Sequence, residues 1–216
     1  MKRIAFTALA LLVASVTLAL PAGSARAAGA TTLAERPTQR VVLAGGCFWG
    51  MEAVFDALKG VTRVVSGYAG GNAATAHYDI VSTGTTGHAE SVEITYDPMQ
   101  ISFTELLRVY FLIAHDPTEL DRQGPDDGSQ YRSEIFYTSN AQKDEAQRFI
   151  RALEERKTFS RPIVTKLAPL AAFYPAEEYH QHFVATHPDY PYVVYNDLPK
   201  LAKLRQDFPA LVTAKR

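Results

Sequence analysis

The chain holds a single cysteine, Cys47, and it sits in the run Gly45-Gly46-Cys47-Phe48-Trp49-Gly50. Ahead of it, Arg40-Val41-Val42-Leu43-Ala44 is apolar and β-branched and reads as a strand; residues 51–58 behind it read as a helix stopped by Gly60. The thiol is therefore expected at a strand-to-helix junction, on the first helical turn. Unpaired backbone N–H groups and the positive end of the helix dipole favour a thiolate there. A free cysteine is more often inert core than nucleophile, so the neighbours decide. Phe48, Met51, Phe55 and Leu58 form a helical stripe, while Trp49 falls off it, on the side of Glu52, Ala53 and Asp56. A tryptophan beside the cysteine on that polar side implies an apolar, partly open pocket around the sulfur.

The second group able to do chemistry is Glu90. Residues 88–96 alternate, so that His88, Glu90, Val92, Ile94 and Tyr96 share one face of a strand. Glu90 points with the apolar set toward the core, where burial raises a carboxyl pKa and keeps the acid neutral as a proton donor. Pairing with a buried arginine is the alternative. His180 and His182 invite a metal reading, but on the short helix expected after Phe173-Tyr174-Pro175 they point to nearly opposite sides, and no ligand set at metal spacing occurs elsewhere. No metal and no bound cofactor are expected.

The elements that must position these groups follow in order β-α-β-β-α-β-α-β. Strands are expected at 40–44, 61–66, 88–96, 131–138 and 163–167, with a glycine-rich turn at Gly67-Tyr68-Ala69-Gly70-Gly71 and one helical turn at 77–82. Ser102-x-x-Glu105 is a capping box for a helix to Ala114 with Phe103, Leu106, Leu107, Tyr110, Phe111 and Ala114 inward. Ser139-x-x-Gln142 opens another helix, to about Arg156. Residues 118–130 form a long polar loop, and the tail from 188 reads as an extended coil wrap with a last short helix near Leu198–Arg205. This order implies an α/β (α+β) fold: a two-layer sandwich, a ferredoxin-like plait with a mixed sheet and helices packed on it.

Residues 1–27 read as a signal peptide: Lys2-Arg3, an apolar run to Pro21, and Ala25-Arg26-Ala27 at the exit. Residues 28–39 read as a linker and 40–216 as one catalytic domain. The expected location is exported, periplasmic or secreted; an uncleaved membrane anchor is the competing reading. Cleavage removes three of the 22 basic residues and none of the 23 acidic ones, leaving 19 against 23. A mildly acidic chain without a basic cluster argues against nucleic acid as partner.

Gly46-Cys47-Phe48-Trp49-Gly50, Ser66-Gly67-Tyr68-Ala69-Gly70-Gly71, Thr86-Gly87-His88-Ala89-Glu90, Tyr96-Asp97-Pro98 and the run Arg122-Gln123-Gly124-Pro125-Asp126-Asp127-Gly128-Ser129-Gln130-Tyr131-Arg132-Ser133 together resemble peptide methionine sulfoxide reductases of type A. The motifs fall in that family's order and cover roughly residues 40–187. The resemblance implies reduction of methionine-S-sulfoxide, free or in proteins, with Cys47 as nucleophile and Glu90 as the acid that protonates the departing oxygen. It further implies Tyr78 and Tyr131 as hydroxyls binding that oxygen and Phe48 with Trp49 as the wall for the substrate methyl. For Asp126 and His180 the resemblance implies supporting roles at the site's edge. Many members carry further cysteines near the C-terminus; this tail has none, so turnover is expected to need an external thioredoxin-like dithiol or a small thiol as co-substrate. A monomer is expected. Two other readings stand beside this one: a Cys/His hydrolase using His88 or His180 as base, and a non-enzymatic thiol redox sensor.

Overall fold

The computed structural model describes residues 37–213. The expected signal peptide at 1–27 lies outside the described residues, as does all but the end of the expected linker at 28–39. In chain order the elements are β1 (Gln39–Ala44), α1 (Phe48–Asp56), β2 (Val61–Ala69), α2 (Tyr78–Val81), β3 (Ala89–Tyr96), α3 (Phe103–Val109), the two-residue strands β4 (Arg122–Gln123) and β5 (Asp126–Asp127), β6 (Glu134–Tyr137), α4 (Asn140–Glu155), β7 (Lys166–Pro169), β8 (Phe173–Pro175), α5 (Phe183–Thr186) and α6 (Leu198–Asp207).

The six-stranded sheet runs β7-β6-β1-β3-β2-β8. Its inner four strands, β6-β1-β3-β2, are antiparallel throughout, and with α1 and α3 between them they make the ferredoxin-like plait. β7 joins β6 in parallel, which makes the sheet mixed. Val41 pairs with Ile94 and Leu43 with Val92, so one face of the central strands is apolar. Against that face pack Met51 and Phe55 of α1, Leu106 and Leu107 of the capped α3 helix, and Tyr110 of the π-helical turn, Tyr110–Ala114, that continues it. The opposite face, with Val42, Ala44, Ala69, Ala89 and Phe136, is covered by Ala168, Leu170 and Phe173. Among the described residues no helix is long and apolar enough to cross a membrane.

Five local expectations change. The strand expected to end at Ser66 runs on to Ala69, because β3 pairs on one side and β8 on the other. Gly67 belongs to that strand: a Cβ there would collide with the Phe173 ring and the Tyr174 carbonyl, so it serves close approach, and the turn itself is left to Gly70 at φ 94°. Phe173-Tyr174-Pro175 forms the edge strand β8 and opens no helix; His180 lies in a 3-10 turn, Glu178–His180, and His182 sits beyond it at φ 52°. Tyr131 stands outside the strand expected at 131–138, in a 3-10 turn at Ser129–Tyr131. There Arg132 holds the chain back by donating to the carbonyls of Gly87, His88 and Ser129 before β6 begins. The strand expected at 163–167 is displaced to 166–169, where it finds β6. The tail does wrap the domain, with Lys59 N–H bonded to the Leu211 carbonyl and Thr213 N–H to Ala57, but it does so largely as helix, a π-helical turn at Val193–Asp197 leading into α6.

Candidate active site

Cys47 is the N-cap of α1, immediately beyond the turn made by Gly46 at φ 93°. Only 9% of it is exposed, at one wall of a cavity of about 180 Å³. Phe48, Trp49, Tyr78, Glu90, Asp126, Tyr131, Tyr190 and Tyr192 line the rest. Seven of the eight residues that sequence reasoning proposed for the site thus share one small hollow. The eighth, His180, stands behind it: buried, with its Nδ1 accepting from Trp49 Nε1–H at 3.0 Å and its ring 5.0 Å from Phe48 and 4.5 Å from Tyr78. It braces the walls and does not line the cavity.

Each wall has an identifiable support. Glu90 comes from the start of β3, 2% exposed, and its Oε2 accepts the Phe48 backbone N–H at 3.1 Å, one of the free donors at the α1 N-terminus. Among the described residues no arginine pairs with it; Arg132 is taken by Glu134 at 2.6 Å. Tyr78 opens α2, where its N–H is held by Glu177 Oε1 at 3.0 Å while Glu177 Oε2 accepts from the buried Tyr68 hydroxyl at 2.8 Å. Asp126, in the β4–β5 hairpin, accepts a short hydrogen bond from the Tyr192 hydroxyl. The Tyr78 and Tyr131 hydroxyls take part in no protein hydrogen bond among the described residues, which leaves both free to donate to a guest.

The electrostatics overturn one expectation. The thiol at this helix start is not stabilised as a thiolate: burial pushes the Cys47 pKa well up, and the carboxyls of Glu90 and Asp197 push it further. The helix end acts through a single backbone donor, at Trp49, and is outweighed. Burial likewise raises Glu90 from an ordinary 4.5 to about 8, so at neutral pH it is mainly the uncharged acid, as the strand pattern implied. Tyr78 is pushed up to about 12 by burial and the nearby Glu90, and Tyr131 moves up for the same reasons. Both phenols stay protonated donors at neutral pH.

Neither histidine can serve the thiol as a base. His88 has both ring nitrogens committed to the backbone: Nδ1 accepts from Gly71 N–H at 3.2 Å and Nε2 lies 3.0 Å from the Asn72 carbonyl. His180 Nδ1 is occupied by Trp49, and burial lowers the pKa of its ring. The hydrolase reading loses its catalytic base.

Four residues escaped sequence reasoning. Tyr190 and Tyr192 close the cavity from a tail far away in sequence, with both rings edge-on to Trp49. Asp197 is fully buried against the first turn of α1, where a Cβ on Gly50 would strike it; neither carboxylate oxygen has a hydrogen-bond partner, and burial raises its pKa to about 6. Its nearest cation is Lys200 Nζ at 4.0 Å. Glu52, read as part of a polar face, is only 1% exposed because the segment after β8 covers it. Only the abundance of tyrosine in the tail could have hinted at any of these.

The model of one protein family, described as peptide methionine sulfoxide reductase, matches residues 39–211. Peptide methionine sulfoxide reductase MsrA 2 of Mesorhizobium japonicum is 54% identical over 178 residues, 82% of this chain and 91% of that relative. The MsrA of Thermus thermophilus is 48% identical over 176 residues, 82% of this chain and 98% of its own length. Among solved structures, reduced Mxr1 from Saccharomyces cerevisiae superposes with a TM-score of 0.66 at 34% identity, over 71% of this chain and 87% of that one. Methionine sulfoxide reductase A of Corynebacterium diphtheriae gives 0.65 at 35% identity, over 70% and 76%.

Proposed function

The chain belongs to the peptide methionine sulfoxide reductase family, and from that premise we propose that it reduces methionine-S-sulfoxide, free or in oxidised proteins, through the cavity at Cys47. The observation that carries the reading is the pairing of the only thiol with a carboxyl that burial keeps protonated, in a hollow that also offers two unbonded phenols.

A sulfoxide oxygen is a strong acceptor, and its sulfur becomes electrophilic as that oxygen gains a proton. Glu90, Tyr78 and Tyr131 supply three donors to the oxygen, while Phe48 and Trp49 receive the methyl group. Cys47 sulfur attacks the substrate sulfur as Glu90 gives its proton to the oxygen; the thiol proton then recharges the Glu90 carboxylate. The oxygen takes a second proton from Glu90 and leaves as water, breaking the S–O bond and leaving Cys47 joined to the substrate sulfur as a sulfonium. That water then attacks the Cys47 sulfur, and the S–S bond breaks to release methionine. The proton returns to Glu90, and Cys47 is left as a sulfenic acid. The balance is one thiol and one sulfoxide in, one thioether and one sulfenic acid out. No charge need be created in the dry site before substrate arrives, which suits a thiol that burial keeps neutral. Asp126, held by Tyr192, lies at the rim with its own carboxyl raised by burial.

Return to the thiol needs electrons from outside. A donor thiol displaces water from the sulfenic acid to give a mixed disulfide, and a second thiol releases Cys47. With no second cysteine in the chain, we assign this step to an external thioredoxin-like dithiol or a small thiol.

The purified protein with dithiothreitol should yield methionine from the S epimer and none from the R epimer. No product from the S epimer overturns the assignment, and leaves the sensor reading to be tested by isolating a mixed disulfide at Cys47. The signal-like residues 1–27 support export, with the mature chain starting at Ala28. Intact mass of the protein recovered from outside the cytoplasm should show that start; a retained Met1 would favour an anchor.

A further inference from the structure

Trp49 is gripped from both sides by one short segment of chain. His180 accepts its indole N–H, and Phe183 lies flat on its ring, 3.7 Å between centroids and 10° from parallel. Between these two residues the 3-10 turn ends and α5 begins, and the chain changes direction at His182, a non-glycine residue at φ 52°. A left-handed residue of this kind persists only where its surroundings hold it.

The holder is Glu52. Its Oε2 accepts both the His182 backbone N–H at 2.9 Å and the Ser66 hydroxyl at 3.1 Å, and His182 Nδ1 faces Oε1 at 3.3 Å. The neighbouring Gln181 side chain acts as an extra strand partner for β2: its Oε1 accepts Ser66 N–H at 3.0 Å, and its Nε2 donates to the Ser66 carbonyl at 3.0 Å and to the Ala176 carbonyl at 3.1 Å. Glu52 lies on α1 one turn beyond Trp49, so the residue that ties down residues 180–183 rides on the same helix as the ring they grip. A carboxylate is costly to bury. The mechanism above uses Glu52 nowhere, and a plain apolar residue would fill a helix–sheet contact at lower cost.

We propose that Glu52 is a positioning residue for substrate binding: by fixing His182 in its left-handed turn, it sets Phe183 and His180 about Trp49 and so holds the wall that receives the substrate methyl. The inference rests on the reading of Trp49 as that wall. Its effect falls on binding of substrate, not on the reacting atoms, because Glu52 touches neither Cys47 nor Glu90.

Trp49 is the only tryptophan in the chain, so its fluorescence reports this wall directly and without turnover. Glu52→Ala should red-shift the emission and increase quenching by acrylamide. It should also raise KM for methionine-S-sulfoxide by about fivefold or more with kcat within about twofold, the pattern of lost uniform binding. Glu52→Gln, which keeps an acceptor for the two Oε2 bonds and an N–H for His182 Nδ1, should restore both readouts. Should Glu52→Ala prove too unstable to assay, Phe183→Ala removes the stacked ring alone and should give the same red shift and the same rise in KM. Unchanged emission and KM in either alanine variant, or a Glu52→Gln protein as impaired as Glu52→Ala, would overturn the clamp. A wild-type protein that makes no methionine while Glu52→Ala still shifts the emission would instead overturn the reductase reading and leave the clamp standing.

Discussion

Cys47→Ser makes no methionine from either epimer while keeping the fold, since the change swaps one buried atom at an N-cap position that serine favours. The loss should be total within the detection limit, because no second cysteine can take over. Stoichiometry supplies the sharper check. Without added thiol, wild-type protein should release one methionine per chain and stop, having parked the oxygen on Cys47, and the serine variant should release none. Any second equivalent from wild-type protein in the absence of reductant would mean that another group on the chain accepts the oxygen.

Glu90→Gln should lower kcat by about 10²–10⁴-fold, the usual worth of positioned acid catalysis. The amide can still donate a hydrogen bond to the sulfoxide oxygen and still accept from Phe48 N–H, so substrate binding should change far less than the chemical step. The pH profile separates the two roles. In the wild type the active form of Glu90 is the protonated one, so kcat should fall as pH rises through about 8. Glutamine has no proton to lose, and the variant should not show that fall. A variant that kept the wild-type rate at pH 7 would take the acid role away from Glu90.

The sequence makes the positions of these two groups legible for local reasons. Alternation along 88–96 is enough to turn Glu90 inward, and the glycines, strand and helical stripe around Cys47 are enough to place it at a helix start. The charge state of Cys47 is another matter. A helix N-terminus is visible in its own ten residues, whereas the two carboxyls that oppose a thiolate arrive from β3 and from the start of α6. Glu52 misled for a similar reason: beside Asp56 it completes a polar face, and only the tail's return shows that this face is roofed over. Three-residue β8 is too short to carry a period, so the turn expected to be helical became a sheet edge. Tyr78 and Tyr131 were legible only through the family resemblance, since nothing in their local sequence distinguishes them from ordinary surface or strand-edge tyrosines.

Keeping carboxyls uncharged inside the fold links its cohesion to the proton supply. Glu90 is raised from 4.5 to about 8 and Asp197 from 3.8 to about 6, so the folded chain holds protons that the unfolded chain has already released. Their contribution to stability therefore declines as pH climbs, from about 4 to 6 for Asp197 and from about 4.5 to 8 for Glu90. His115, buried and lowered to about 4, pulls the other way, but only below its ordinary 6.5. Above neutrality the Asp197 change is complete and Glu90 acts unopposed by His115. Alkali thus withdraws the catalytic proton and loosens the protein in one and the same ionisation, giving repair activity and structural endurance a common upper limit.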